Sequence, residues 1–382
     1  MNKHEYKQNA YYVMYLIRCA LGGKVPAKNK LDKMDLSGVF AVAKEHLLAA
    51  LAAYALESAG IFDKDFEEEK FKSIRKNIIL DTDRANVTAE LEKAGIWYMP
   101  LKGSITKELY PQLGMRQMAD NDILFDKSRA QDVKNIMLSL GFTSETFGQG
   151  GHDVYFKQPV SNFEMHTRLF SRSFDETLFE YYNRVTERMM PADDCNFGKK
   201  LSREDFYIYI TAHEYKHYTN AGTGLRGLVD TYVYLSKYCD ELDMEYIARE
   251  CEKLGIAEFE HKNRELALHL LGGRKLTKSE SEMFDYFIFS GTYGNVSNRV
   301  NNKIKRDYSG RFVKVRYLFG RLAIPVSAKN PKYSIFSDKY SWFYKKRIRL
   351  PLLFFYRIGK AFSTKRTKAK GELGVLFTSR GK

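Results

Sequence analysis

At Gly95 the hydrophobic period of this chain changes, and that change limits the folds open to it. Before it the pattern is helical. Residues 36–59, Ala- and Leu-rich with Asp35 or Ser37 as cap, predict one buried helix. Phe71, Ile74, Ile78, Ile79, Val87 and Leu91 recur mostly at spacings of three or four, which predicts a second, long helix over 67–94. After Gly95, Ile96 to Met99 reads as a short strand, and Leu101 to Ser104 as a turn opening a helix through Ile105, Leu109 and Tyr110. Asp120 to Phe125 is a second strand, Ser128 to Leu140 a helix ended by Gly141, and Asp153–Gln158 and Asn162–Leu169 a hairpin about Pro159 and Val160. This order predicts an α+β core of about eighty residues. From Ser202 the pattern is helical again. The expected organisation is a helical region over 1–90, the core over 91–172, a helical domain over 173–300 and a basic, aromatic-rich region over 301–382.

With 382 residues, 44% of them apolar, the chain is long enough and hydrophobic enough for a buried core, and disorder is excluded as its main state. Cys19, Cys195, Cys239 and Cys251 form no CxxC pair, so neither a disulfide scaffold nor a cysteine zinc site is expected and a reducing cytoplasm fits. No apolar run reaches the roughly 18–20 residues of a membrane span.

The net charge of +15 is unevenly spread. Residues 301–382 hold 22 Lys and Arg against Asp307, Asp338 and Glu372, a net of +19, so the remainder sums to −4. The excess therefore belongs to one region and does not mark the whole chain as a nucleic-acid binder. Within that region Phe343–Phe362 sets cations around Leu350, Leu352, Leu353, Phe354, Phe355 and Tyr356, a mixture suited to an anionic membrane surface or a polyanion, and equally to a packed helix with a solvated basic face. The last twenty residues are polar.

Chemistry is concentrated in residues 102–166. On a strand, alternate side chains share a face, so Asp120 and Asp122 point one way while Ile123 and Phe125 point to the core. Glu164 and His166 repeat the arrangement opposite Phe163 and Met165. If the two strands are neighbours, three carboxylates converge, and their repulsion is best relieved by Mg²⁺ or Mn²⁺. Two such ions clamp the attacking and leaving oxygens of a phosphoryl or nucleotidyl transfer. Gly103 and Ser104, at a strand-to-helix turn, offer close backbone approach and amide donors to a triphosphate, and Lys102 and Arg116 offer positive charge.

The run MPLKGSITKELYPQLGMRQMADNDILFD, with Gly141-Phe142, Gly151–Asp153 and Phe163–His166 after it, resembles an uncharacterised bacterial nucleotidyltransferase family of the polymerase-β-like superfamily. The superfamily's pattern is a Gly-Ser turn, an Asp-x-Asp strand and a third acid on a later strand, met here by Gly103-Ser104, Asp120 with Asp122, and Glu164. Where the family usually has an apolar residue between the aspartates, this chain has Asn121. The resemblance implies a polymerase-β-like fold, a small mixed sheet flanked by N- and C-terminal helical layers. It implies transfer of a nucleoside monophosphate from ATP or another NTP to an acceptor, with release of pyrophosphate. Asp120, Asp122 and Glu164 would then hold the metals, and Glu164 would hold the catalytic one or draw the acceptor's proton. His166 is expected near phosphate or acceptor.

Two other functional readings stand beside this one. His213-Glu214-Tyr215-Lys216-His217 matches the HExxH pattern of zinc metalloproteases, with both histidines on one helix face. It lacks the extension that supplies a third histidine, and it fits the family's own helical region, where Arg226 and Asp230 follow. His213 and His217 then either pack or hydrogen-bond within the helical layer or, with Arg226 and Asp230, line the cleft against the sheet and touch nucleotide or acceptor. His46, His152, His261 and His269 read as structural or surface histidines. The remaining reading is a catalytically silent protein of the same fold that docks on a membrane or polyanion through residues 301–382, peripheral to the inner membrane face.

Overall fold

The computed structural model describes residues 1–172, 174–327, 333, 336–337, 340–363, 370–372 and 374–376. It divides into two compact units, one formed by Met1–Tyr215 with Gly224–Thr292, the other by Lys216–Thr223 with Tyr293–Lys382.

In the first unit, α1 (Lys3–Leu21) starts at a capping box in which Asn2 and Glu5 satisfy each other's backbone N–H groups. A short α2 (Lys28–Leu31) follows, then α3 (Leu36–Glu45) and α4 (Ala49–Ser58). The single helix expected over 36–59 is thus two, broken at Leu47, whose φ is 55°. The break is stable because the backbone groups it frees find tertiary partners. The Ala50 N–H donates to Gln117 Oε1 at 3.2 Å, and the Glu45 carbonyl accepts from Thr292 Oγ1 at 2.6 Å.

The long helix α5 (Lys64–Lys93), about 45 Å at 1.5 Å per residue, is capped by the Asp63 side chain. Its buried face is half polar: Phe66, Leu80, Val87 and Leu91 alternate with Lys70, Ser73, Asn77 and Asp83, while Phe71 and Ile78 are exposed. The polar half holds the loop that leads to the site. Ser73 Oγ donates to the Gly114 carbonyl at 2.7 Å, Asn77 Nδ2 to that of Arg116 at 3.2 Å, and Lys76 Nζ to that of Ala119 at 2.7 Å.

The sheet comprises β1 (Tyr98–Pro100), β2 (Asn121–Phe125), β3 (Thr143–Thr146), β4 (His152–Lys157) and β5 (Ser161–His166), in the order β1-β2-β5-β4-β3. Only β2 and β5 run parallel, so the sheet is mixed. The short α6 (Gly103–Thr106) follows β1, and α7 (Ala130–Ser139) follows β2. One face buries Ile123, Phe125, Phe163 and Met165 against Val87 and Leu91 of α5 and Val133 and Met137 of α7. The other face turns Met99 and Leu124 to a second cluster built largely from later helices. These are α8 (Glu176–Asn183), α9 (Arg203–Asn220), α10 (Leu225–Tyr238), α11 (Met244–Lys253) and α12 (Ala257–Gly272), with a two-stranded ribbon, β6 (Met190–Pro191) and β7 (Lys199–Lys200), between α8 and α9; α13 (Lys278–Ser290) follows. A small mixed sheet flanked by helical regions, the polymerase-β-like arrangement, is what the chain forms.

The second unit contains α14 (Val296–Asp307), α15 (Val313–Leu322), α16 (Ser341–Tyr344) and α17 (Leu350–Ser363); Val300 of α14 and Tyr317 of α15 pack with Leu376. Most of the polar last twenty residues lie outside the described ones. All four cysteines are free thiols, and no described helix is long and apolar enough to cross a membrane.

Candidate metal and nucleotide site

The parallel pairing of β2 with β5 puts Asp122 directly beside Glu164, and the next pair on that face is Leu124 beside His166. β4 then sets His152 opposite His166. Asp120 lies just before β2 and is close enough for the charges of Asp122 and Glu164 to act on it. The three carboxylates expected to converge therefore do so. Their electrostatics differ. Burial, with the charges of Asp122 and Glu164 added, pushes the Asp120 carboxyl up to about 6 despite Lys102 and Arg226. Burial works in the same direction on Asp122, but two cations outweigh it: Lys102 Nζ and His166 Nε2 each stand 2.7 Å from its Oδ1 and hold it well below the usual carboxylate range. The hydrogen bond from His166, 3.5 Å from Oε2, lowers Glu164. Burial opposes the His166 cation and the two carboxylates override it, so its pKa rises.

His152, set aside as an ordinary histidine, is the correction the sheet makes. Its Nε2 lies 3.9 Å from Glu164 Oε1, and ligand atoms of His152, Glu164 and His166 all fall within 4.8 Å of one another. Cross-strand register was the missing information. Two imidazoles beside the carboxylates form a mixed oxygen and nitrogen donor set, which fits a divalent ion such as Mn²⁺ as well as the carboxylates alone fit Mg²⁺.

Above these strands the β1–α6 connection is a tight turn. Lys102 has φ 46° and ψ −117°, the first corner of a type II′ turn, closed by the Ser104 N–H on the Leu101 carbonyl at 3.2 Å. A residue with a side chain in that conformation costs about 1–3 kcal/mol, a cost the surrounding contacts must offset. Here the Leu101 N–H bonds the Asp122 carbonyl at 2.9 Å while the Lys102 ammonium bonds the Asp122 side chain. A Cβ on Gly103 would come within 2.4 Å of Arg116 Nη1, so glycine is required while Arg116 stays in place. Ser104 Oγ is buried and among several such atoms without a hydrogen-bond partner.

Arg116, expected to face phosphate, is engaged elsewhere. Its Nε and Nη2 donate to Asp230 Oδ1 and Oδ2 at 2.8 and 2.7 Å, and Tyr110 donates to the same carboxylate at 2.7 Å. Buried Arg116 and half-buried Asp230 thus form a pair that ties the Gly103 turn to α10. Asn121, the departure from the family pattern, turns away from the site: its Nδ2 donates to the Leu80 carbonyl at 2.8 Å and its Oδ1 accepts from Arg84 at 3.3 Å. A polar pin to α5 replaces an apolar contact and leaves both aspartates in place. Three further groups act on the cluster. Lys76 and Arg226 interact electrostatically with Asp120 or with each other, and Tyr209 of α9, buried, interacts with Lys102, Asp122 and Glu164.

The model of a family described as an uncharacterised nucleotidyltransferase matches residues 32–272, well over half of the chain. The chain belongs to this family. The match takes in the sheet, the turn and both helices that carry Arg226, Asp230 and His213. No curated protein and no solved structure matches the chain.

The HExxH segment has a different setting from a zinc site. His213 lies on α9 one turn after Tyr209, with ring centroids 6.4 Å apart, and Glu214 packs so tightly on α10 that a Cβ on Gly227 would meet its carboxylate at 2.3 Å. His217, on the same helix, belongs to the second unit. Among the described residues neither histidine joins a group of three potential ligands.

Proposed function

We propose that the chain is a divalent-metal-dependent nucleotidyltransferase, moving a nucleoside monophosphate from ATP or another NTP to an acceptor hydroxyl or phosphate with loss of pyrophosphate. The observation that carries this reading is the in-register pairing of Asp122 with Glu164, with Asp120 alongside, beneath the Lys102-Gly103-Ser104 turn. Asp120, Asp122 and Glu164 would hold the metal, with His166 and His152 as nitrogen donors. The bound ion would supply charge neutralisation for the triphosphate and an activated acceptor oxygen.

The protein's own groups do the rest. Backbone amides of the Gly103-Ser104 turn and the unpartnered Ser104 hydroxyl would donate to phosphate oxygens. Lys102, released from Asp122 as the metal charge replaces its own, would turn to the leaving pyrophosphate. Glu164, more exposed than Asp122, would hold the catalytic ion or take the acceptor's proton. Arg116 and Asp230 would act as positioning residues that fix the turn.

The test is thermal stabilisation by each NTP with Mn²⁺, Mg²⁺, Zn²⁺ or EDTA, in the wild type and in an Asp120→Asn/Asp122→Asn variant, paired with an assay for pyrophosphate release. A shift that needs both NTP and Mn²⁺ or Mg²⁺ and vanishes in the variant is expected. A shift with Zn²⁺ alone, indifferent to the aspartates, would return attention to His213 and His217. No shift under any condition would favour the silent binding protein.

A further inference from the structure

The charge excess confined to residues 301–382 coincides with an exposed apolar surface in the second unit. On α17, Leu353 is wholly buried, whereas Leu352, Phe355 and Tyr356 face solvent, Phe355 being 68% exposed. Their spacing of three and four places them in one stripe along the helix. At the N-terminal end of this stripe Lys345, Lys346 and Arg347 are exposed, and Ile348, on the following 3₁₀ turn, is 84% exposed. Arg349 lies over the half-exposed Trp342 ring, 4.2 Å from its centroid. The helix is held from its other side, where Arg357 donates to the carbonyls of Arg321, Leu322 and Ala323. On α15, Val315 and Phe319 repeat the exposed spacing, and Phe312, which precedes the helix, is exposed too.

We propose that this basic-collared stripe on α17 is a docking surface for an anionic phospholipid bilayer, with Leu352 and Phe355 entering the acyl boundary and Lys345, Lys346 and Arg347 at headgroup level. Charge selects the occupant. A second copy of the chain would set one +19 region against another. A nucleic-acid groove needs cations along the contact, but here the exposed Ile348, Pro351, Leu352 and Phe355 separate Lys345, Lys346 and Arg347 from Tyr356 and Lys360. Apolar groups beside clustered cations, with no acidic residue on the helix, are what an anionic interface accepts.

The test is co-sedimentation of the full chain with vesicles of phosphatidylcholine, alone or with one third phosphatidylglycerol, at rising salt. Binding to the anionic vesicles only, weakened by salt, is expected. Lys345→Ala/Lys346→Ala/Arg347→Ala should weaken it on the order of a hundredfold, at about fivefold per charge. Leu352→Ser/Phe355→Ser should abolish it while leaving the unfolding midpoint unchanged, because both side chains already face water. Equal binding to both vesicles, or none, would overturn the proposal. So would full binding by Leu352→Ser/Phe355→Ser, which would indicate a simple polyanion site, as would a dimer of the free protein that this variant dissociates.

Discussion

Asp120→Asn and Asp122→Asn, two residues apart, should move the stability of the metal-free protein in opposite directions. Asp120 has a pKa raised from 3.8 to about 6, so the native state holds its proton more tightly than the unfolded chain does. The stability from that proton is complete below pH 3.8 and is lost as pH rises through about 6. Above that, the ionised carboxylate sits half-buried beside Asp122 and Glu164 at a cost of about 3 kcal/mol. Asn carries no charge to repel, so Asp120→Asn should stabilise the apo protein by up to about 3 kcal/mol at pH 8, roughly half of that at pH 5 and almost nothing near pH 4. In melting temperature this is about 5 °C at pH 8, taking the lower end of the usual scaling because the chain is long. Asp122→Asn instead leaves the Lys102 and His166 cations without their buried anion and should cost about 3–5 kcal/mol. The assay is urea unfolding in EDTA at pH 5, 6.5 and 8 for the wild type and both variants. Shifts of the same sign, or an Asp120→Asn gain that does not grow with pH, would refute the electrostatic reading of the site.

Three further outcomes are expected. Mn²⁺ should stabilise the wild type more than Mg²⁺ does at equal concentration, and His152→Ala should remove the difference while retaining the Mg²⁺ response, because imidazole adds little to a Mg²⁺ site; differential scanning fluorimetry reads both. Arg116→Leu alone should cost about 3–5 kcal/mol by stranding Asp230, and Arg116→Leu/Asp230→Leu together should cost much less, which a double-mutant cycle in urea measures. His46 bonds the Leu225 N–H through Nδ1, and burial lowers its pKa from 6.5 to about 4, so its contribution is complete above pH 6.5 and is lost as pH falls toward 4; the wild type should lose up to about 3 kcal/mol across that window, and His46→Gln should flatten the slope.

The strand-borne part of the site was legible because its logic is local. Period-two alternation puts Asp122 and Glu164 on one face and Ile123, Phe125, Phe163 and Met165 on the other whatever the rest of the chain does. The Gly103 turn was legible for the same reason. What the sequence hid was register and partner choice. Nothing near His152 announces that β4 will set it across from His166. Nor does the spacing of 114 residues between Arg116 and Asp230 suggest that the cation expected at phosphate is bound instead to an α10 carboxylate. On α5, periodicity read from apolar residues pointed to Phe71 and Ile78, which are exposed, because the buried face is chosen by backbone carbonyls that Ser73, Lys76 and Asn77 must reach.

These failures share a direction that bears on where function lies. Beside the cluster, polar groups that turn away from it, such as Asn121, Arg116, Asp230 and Asn77, are paired and stabilise the fold. At the β1–α6 turn and the ends of β2 and β5, three unfavourable features meet: Asp120 is held against like charge, Lys102 occupies a backbone conformation that favours glycine, and Ser104 Oγ has no partner. A divalent ion would relieve the first by adding positive charge, and a phosphate would supply acceptors for the cation and hydroxyl of the other two. A fold that optimised stability alone would keep none of the three, and their coincidence at one turn and two neighbouring strands supports the proposed site as the place where ligand binding would offset their cost.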